Sequence, residues 1–343
     1  MYRFIAIVFV LWITTPLRAQ ETVYLSRSLS ADHVSKVIAK TSGGNIEVSG
    51  GHDQDARLEV YVSSNGHRRS LSRDEIAQRI GADYDFTVSV QGGELSVSAL
   101  PKHHFSDWKN ALNISFKIYV PENTGTDLAT SGGSISLTKL SGDEVFKTSG
   151  GNLEVGNLSG KIRGETSGGS IRVSDSRDDI DLSTSGGNIN ASQCNGQLKL
   201  STSGGSIDLS GLDGNIHAAT SGGSVRAKTV AGELVASTSG GSLDLEDLSC
   251  SLDASTSGGH INIAMTNPGK YVKVSNSGGH INLSIPGDKG YDLKLYGNGM
   301  DRDFSLKNFS GTVKKDRIEG TVNGGGIPVT ASSSGGHINL SFN

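Results

Sequence analysis

The chain has 343 residues, 47 of them glycine, with 6 % aromatic and 19 % charged residues and a formal net charge of −4. A mildly acidic chain without a basic patch or run excludes nucleic acid as an expected partner. The apolar residues come in short alternating stretches rather than long runs, so no transmembrane segment is expected beyond the N-terminus.

Residues 1–19 carry the pattern of an export signal: Arg3, an apolar core from Phe4 to Ile13, and Leu17-Arg18-Ala19 before Gln20. No cysteine follows the cleavage site, so no lipid anchor is expected. The mature chain is therefore expected in the periplasm, on the cell surface or outside a bacterial cell.

Residues 20–129 read as an irregular N-terminal β segment. Val37, Ala39, Thr41, Ile46 and Val48 form one complete repeat of the pattern described below. Leu58 to Val62 continue as a strand. Ser72-Arg-Asp-Glu75 is a capping box opening a short helix over about 72–80. Phe86 to Val90 and Leu95 to Val97 read as strands joined at Gly92-Gly93, and Ile114 to Val120 as another.

Residues 130–286 are a regular array. Thr-Ser-Gly-Gly starts at Thr130, Thr148, Thr166, Thr184, Thr202, Thr220, Thr238 and Thr256, a period of 18. An outlying copy starts at Thr41, a near copy at Asn276 and a degenerate one at Ser333. A fixed period of this length means stacked structural turns. Five residues after each Thr stands Ile, Leu or Val, as at Ile135, Ile171 and Ile207, and seven after it another apolar residue, as at Leu137, Val173 and Leu209. Two residues apart, they share one face of a strand. A second apolar pair precedes each following Thr, as at Leu198 and Leu200. Each turn thus has two short strands, and the register points the Thr inward. One bend is the Gly-Gly pair, expected to use positive φ. The other carries Gly142, Gly160, Gly196, Gly214 and Gly232. Residues 287–343 read as C-terminal capping turns.

The expected fold is all-β: a parallel β-solenoid, β-helix-like, with about 18 residues per turn and irregular capping segments. Stacking places Glu154 beside Arg172 and Arg226 between Asp208 and Asp244, so like charges do not adjoin in that column. Cys194 and Cys250 fall three turns apart, about 14 Å by strand spacing and too far for a disulfide.

Three groups of residues carry candidate chemistry. His103, His104, Asp107 and Trp108 crowd one loop outside the array, which suits a ligand patch or a flap over the solenoid flank. Asp175, Asp178, Asp179 and Asp181 surround a bend without the usual glycine, where carboxylates could hold calcium. His260 and His280 follow Gly-Gly in successive turns, where two imidazoles could bind a transition metal or sense pH. His337 repeats the pattern. No other cofactor is expected.

The Thr-Ser-Gly-Gly-x-Ile-x-Leu repeats, Ile-Ser-Phe-Lys-Ile-Tyr-Val-Pro at 114–121 and Gly-Thr-Val-Asn-Gly-Gly-Gly at 320–326 resemble the bacterial putative-adhesin β-strand-repeat family, whose fold is called toastrack-like. The resemblance covers nearly all of the mature chain. It implies an envelope-associated β-solenoid and brings no catalytic residues. Three functions stand as expectations. The first is a non-enzymatic adhesin-like or scaffold protein meeting an envelope component or surface polysaccharide. The second is a polysaccharide-processing enzyme with its site in the 52–110 excursion. The third is an envelope-stress component docking on a membrane protein.

Overall fold

A computed structural model describes residues 22–65, 71–103, 111–302 and 308–343. The expected export signal lies outside the described residues. The chain is mostly β with one α-helix, and its regular part is a β-solenoid with an 18-residue repeat. Each turn has a strand that ends on the Thr, such as Asn195–Thr202, and a second that follows Gly-Gly, such as Ile189–Ser192. Each pairs in parallel with its counterpart one turn away: Leu198 lies beside Ile216, and Ile189 beside Ile207. The inward columns form one continuous core, with Ile180, Leu182, Ile189 and Leu200 fully buried.

The Thr is the polar member of that core. Thr202, 6 % exposed, donates its hydroxyl hydrogen to Gly187 O of the preceding turn at 2.9 Å and accepts Gly205 N–H of its own turn at 3.2 Å. The same pair of bonds recurs at Thr130, Thr148, Thr166, Thr184, Thr220 and Thr238. At each of these corners the Thr therefore satisfies one buried donor and one buried acceptor, groups that are costly to leave unpaired. The degenerate copies keep this function. Asn276 donates through Nδ2 to Gly259 O and accepts Gly279 N–H on Oδ1, and Ser333 bonds Gly279 O and Gly336 N–H.

The Gly-Gly corner differs from the expectation. Neither glycine of the regular corners has positive φ. The second is required by close approach: a Cβ on Gly205 would stand 2.0 Å from Gly187 O, and the same contact recurs from Gly133 to Gly259. The first has ordinary room, 3.5 Å at Gly204. Positive φ sits at the other bend instead, at Gly160, Gly196, Gly214 and Gly232, though not at Gly142. It also sits in a column that the sequence reading missed, at Lys139, Asn157, Asp175, Gln193, Gly211, Thr229 and Asp247. Core volume is balanced across turns. Phe146 occupies the space that a side chain on Gly164 would need, 2.3 Å from its virtual Cβ.

At both ends the spatial order departs from the chain order. The early turn, Lys36–Thr41 with Ile46–Ser49, lies between Glu94–Pro101 with Leu112–Tyr119 and Gly125–Thr130 with Ile135–Thr138. The last turn, Ile327–Ser333 with His337–Phe342, lies between Val272–Asn276 with Ile281–Ile285 and Tyr291–Tyr296 with Gly299–Arg302. Antiparallel strands close the stack: Thr22–Ser28 and Arg57–Ser64 with the hairpin strand Tyr84–Gln91 at one end, Arg317–Val322 and Phe309–Val313 at the other. The helix spans Arg73–Asp83, capped by Ser72 accepting Glu75 N–H at 3.2 Å, and buries Ile76 and Ile80.

Two measurements check the corner. Gly205→Ala is expected to abolish cooperative folding, followed by circular dichroism on heating, while Gly204→Ala leaves the melting temperature within a few degrees. Thr202→Val strands a buried N–H and C=O and is expected to cost about 2–4 kcal/mol in urea unfolding, against under about 1 kcal/mol for Thr202→Ser.

Candidate functional site

The outward columns are polar ladders that run from turn to turn. Arg226 Nη1 lies 3.2 Å from Asp208 Oδ1, and Glu154 pairs in register with Arg172. Farther along the first column, Asn262 donates to Asp244 at 2.8 Å and Asn282 to Asn262 at 2.8 Å. Exposed ion pairs of this kind contribute little to stability. Their regularity makes a straight face of alternating donors and acceptors.

A second outward column follows each Gly-Gly. Its side chains accept the backbone N–H of the same position one turn on: Asn152 to Ser170 at 2.8 Å, Ser206 to Ser224 at 3.3 Å, Ser224 to Ser242 at 3.1 Å. His260 and His280 continue this ladder. His260 Nδ1 accepts His280 N–H at 3.2 Å, and His280 Nδ1 accepts His337 N–H at 3.0 Å. The structure brings the two predicted histidines together, with parallel rings 5.4 Å apart, and adds His337 at 5.5 Å. With Nδ1 engaged as an acceptor, the neutral ring carries its proton on Nε2. His260 and His280 thus each keep an N–H donor on Nε2 rather than a lone pair there. Beside these files, residues 244–246, 262–264, 282–284, Asn339 and Ser341 line a shallow groove.

The acidic bend is spread along a strand. Asp178 Oδ2 accepts Gly160 N–H at 3.0 Å, Asp181 pairs with Lys199 at 3.3 Å, Asp179 stands in register with Lys161 and Gln197, and Asp175 occupies the positive-φ column. Among the described residues, no group of three or more His, Cys, Asp or Glu side chains is placed to hold a metal ion. His103 is half exposed, with Nε2 3.7 Å from Asp83 Oδ1. His104, Asp107 and Trp108 lie outside the described residues. Cys194 and Cys250 are free and buried, and burial pushes the Cys250 thiol up to about 12.

Two groups escaped the sequence reading. On the outer face near the N-terminal end, Ser49 Oγ lies 3.4 Å from His52 Nε2, and His52 Nδ1 lies 3.1 Å from Asp55. This is the order of a nucleophile, a base and its orienting acid. However, Asp55 also pairs with Arg57 at 3.2 Å, and Arg57 stacks over the Tyr119 ring at 3.6 Å. The neighbouring Gly50 and His52 N–H groups already bond Thr138 O and Val120 O, so they are not free to hold an oxyanion. The second is Glu144, fully buried in the core and bonded by the Thr126 hydroxyl, with Oε1 unpartnered. Burial pushes its carboxyl up to about 7. Reading the Ile162, Ile180 and Leu198 column one turn back would have found it.

The family follows from the repeat. Residues 163–341 match the family described as Toastrack DUF4097. The chain belongs to that family. The match takes in regular turns and the C-terminal end, a shorter span than the expected one. Two crystal structures are similar. One is a putative cell adhesion protein from Clostridium sporogenes, 11 % identical, covering 93 % of this chain and 98 % of that one with a TM-score of 0.20. The other is a putative adhesin from Bacteroides fragilis, 14 % identical, covering 92 % and 96 % with a TM-score of 0.27. No curated protein matches the chain. Among the described residues, no helix of this DUF4097 protein is long and apolar enough to cross a membrane.

Glu144 gives the chain a pH dependence. Its folded pKa, about 7, stands above the ordinary 4.5, so the folded state holds a proton that the unfolded state releases. Stability should fall as pH rises from about 4.5 through 7, by about 3 kcal/mol in total. Urea unfolding at pH 5 and pH 8 is expected to show this loss, and Glu144→Gln to remove most of it.

Proposed function

We propose that this chain is a non-enzymatic scaffold of the bacterial envelope or surface, which binds a partner along its outer face. One observation carries the reading: the two outward columns nearest Gly-Gly are unbroken polar ladders on a rod whose corners are locked turn by turn. Such a face suits many weak, repeated contacts with an extended partner, because linked contacts add through effective concentration. The N-terminal export pattern supports an extracytoplasmic place. A surface polysaccharide or another envelope component is the partner class. Docking on a membrane protein is the same surface with a different occupant.

The Ser49–His52–Asp55 chain supports one other reading, a hydrolase acting on envelope polymers at the start of the 52–110 excursion. Its exposed acid and engaged backbone donors make it the weaker reading.

The deciding experiment incubates the purified chain with solubilised envelope and immobilised polysaccharides, with and without a calcium chelator, and reads soluble sugars from the same tubes. Retention without sugar release is the expected result, with no change on chelation. Release of shortened sugars that stops with Ser49→Ala or His52→Ala would overturn it in favour of the hydrolase. Chelator-sensitive retention would instead assign calcium to the 175–181 bend.

A further inference from the structure

Gly-Gly-His-Ile-Asn occurs three times, at residues 258–262, 278–282 and 335–339. The third copy is far from the second in the chain, yet the structure sets them side by side. Ile281 pairs with Ile338, Asn282 with Asn339 and Ser284 with Ser341. The first copy pairs with the second in the same way, Ile261 with Ile281 and Asn262 with Asn282. The result is a three-turn patch with three outward files: imidazoles, then amides, then the small residues Ala264, Ser284 and Ser341.

Core packing does not require this repetition. The inward Ile is shared with other turns, whereas the outward residue in the Asn file varies elsewhere: Ser136, Glu154, Arg172, Asn190 and Asp208. In the histidine column, Ser and Asn perform the backbone-accepting role in the preceding turns. What a histidine adds there is outward, a flat ring and an Nε2–H. The His337 ring has room because it lies over Gly299, whose virtual Cβ would stand 3.0 Å from it. The small third file leaves the groove floor low.

We propose that this patch is a glycan-binding site for a neutral, extended sugar chain lying along the rod axis, with one subsite on each of three neighbouring turns. The proposal rests on the surface reading above and names the site and ligand class for it. The groove offers amide and hydroxyl groups, and the imidazole file runs beside it, all matching sugar hydroxyls as donors and acceptors. Among the described residues that line it there is no Lys or Arg, and the Asp244 and Glu246 carboxylates stand in register with Arg226 and Lys228, so the groove holds no free cation to pair with a polyanionic sugar. The subsites repeat at the strand spacing of about 4.8 Å, comparable to one sugar ring. A polymer can therefore engage all three at once, and affinity should rise with chain length.

The test titrates the full chain with cellohexaose, chitohexaose and a galacturonate hexamer, and with the matching neutral disaccharides. At least one neutral hexaose is expected to bind at least tenfold more tightly than its disaccharide, with the galacturonate weaker by a similar factor. Ala264→Arg and Ser284→Arg each place a long cation in the groove from an outward position and should weaken the hexaose at least tenfold. Asn190→Arg, in the same outward column as Asn262 but on the regular array, should leave binding unchanged. Melting temperatures of all three variants report whether the stack is intact, and Ala264→Arg alone decides if Ser284→Arg fails to fold. Failure of both neutral hexaoses to bind, equal effects of Ala264→Arg and Asn190→Arg, or preferential binding of galacturonate overturns the site. Envelope retention measured on Ala264→Arg separates the two readings. Retention that persists while the hexaoses do not bind removes this site and keeps the surface function, whereas loss of retention in the unmodified chain removes both.

Discussion

One buried hydroxyl per turn holds this structure together. Parallel stacking brings the second glycine of each corner against the carbonyl of the same glycine one turn back, with no space for a Cβ. That approach leaves an N–H and a C=O inside the core, where water cannot reach them. The Thr at the end of the preceding strand bonds both, linking its own turn to its neighbour. The Thr-Ser-Gly-Gly signature is thus a packing requirement with a hydrogen-bonding consequence. Ser333 and Asn276 show which part is essential: each can donate and accept at once. The outward Ser and the first glycine are under weaker constraint.

Because the corners and inward columns take the structural demands, the outward columns are free to vary. They vary in a way that avoids stacking like charges, and toward the C-terminal end they stop varying. The histidines there still meet the one demand of their column, accepting a backbone N–H, but they do so through Nδ1 and turn Nε2–H outward. That choice of nitrogen leaves an N–H donor on Nε2 of His260 and His280.

A stack of parallel turns has two open edges, which invite further strand pairing. This chain buries both of its end turns. The first repeat in sequence is enclosed by later strands, the last by earlier ones, and antiparallel strands cover the outermost positions. The out-of-order ending also creates the triple histidine patch, because it returns the third motif beside the second. Glu144 sits near the other junction, where Thr126 and Glu144 stand in the first column of the apolar pair in two successive turns. A core carboxyl there, raised to about 7 by burial, ties the first regular turns to pH.

The periodic part of the fold was legible in the sequence because every turn repeats the same local demands. A column of Ile, Leu and Val read at 18-residue spacing identifies the inward face, the Thr direction and the neighbour of each charge, and the structure has Glu154 beside Arg172 in that register. The reason for Gly-Gly was not legible, since a virtual Cβ clashes with an adjacent turn rather than with its own backbone. Nor could the column of left-handed residues from Lys139 to Asp247 be seen, because side chains as different as Lys, Gln and Thr occupy it. Local pattern determined the solenoid, its register and its inward and outward faces. Tertiary structure alone decided which turns became neighbours at the ends, because closing an open sheet edge is a demand of the whole stack and leaves no mark in any single repeat.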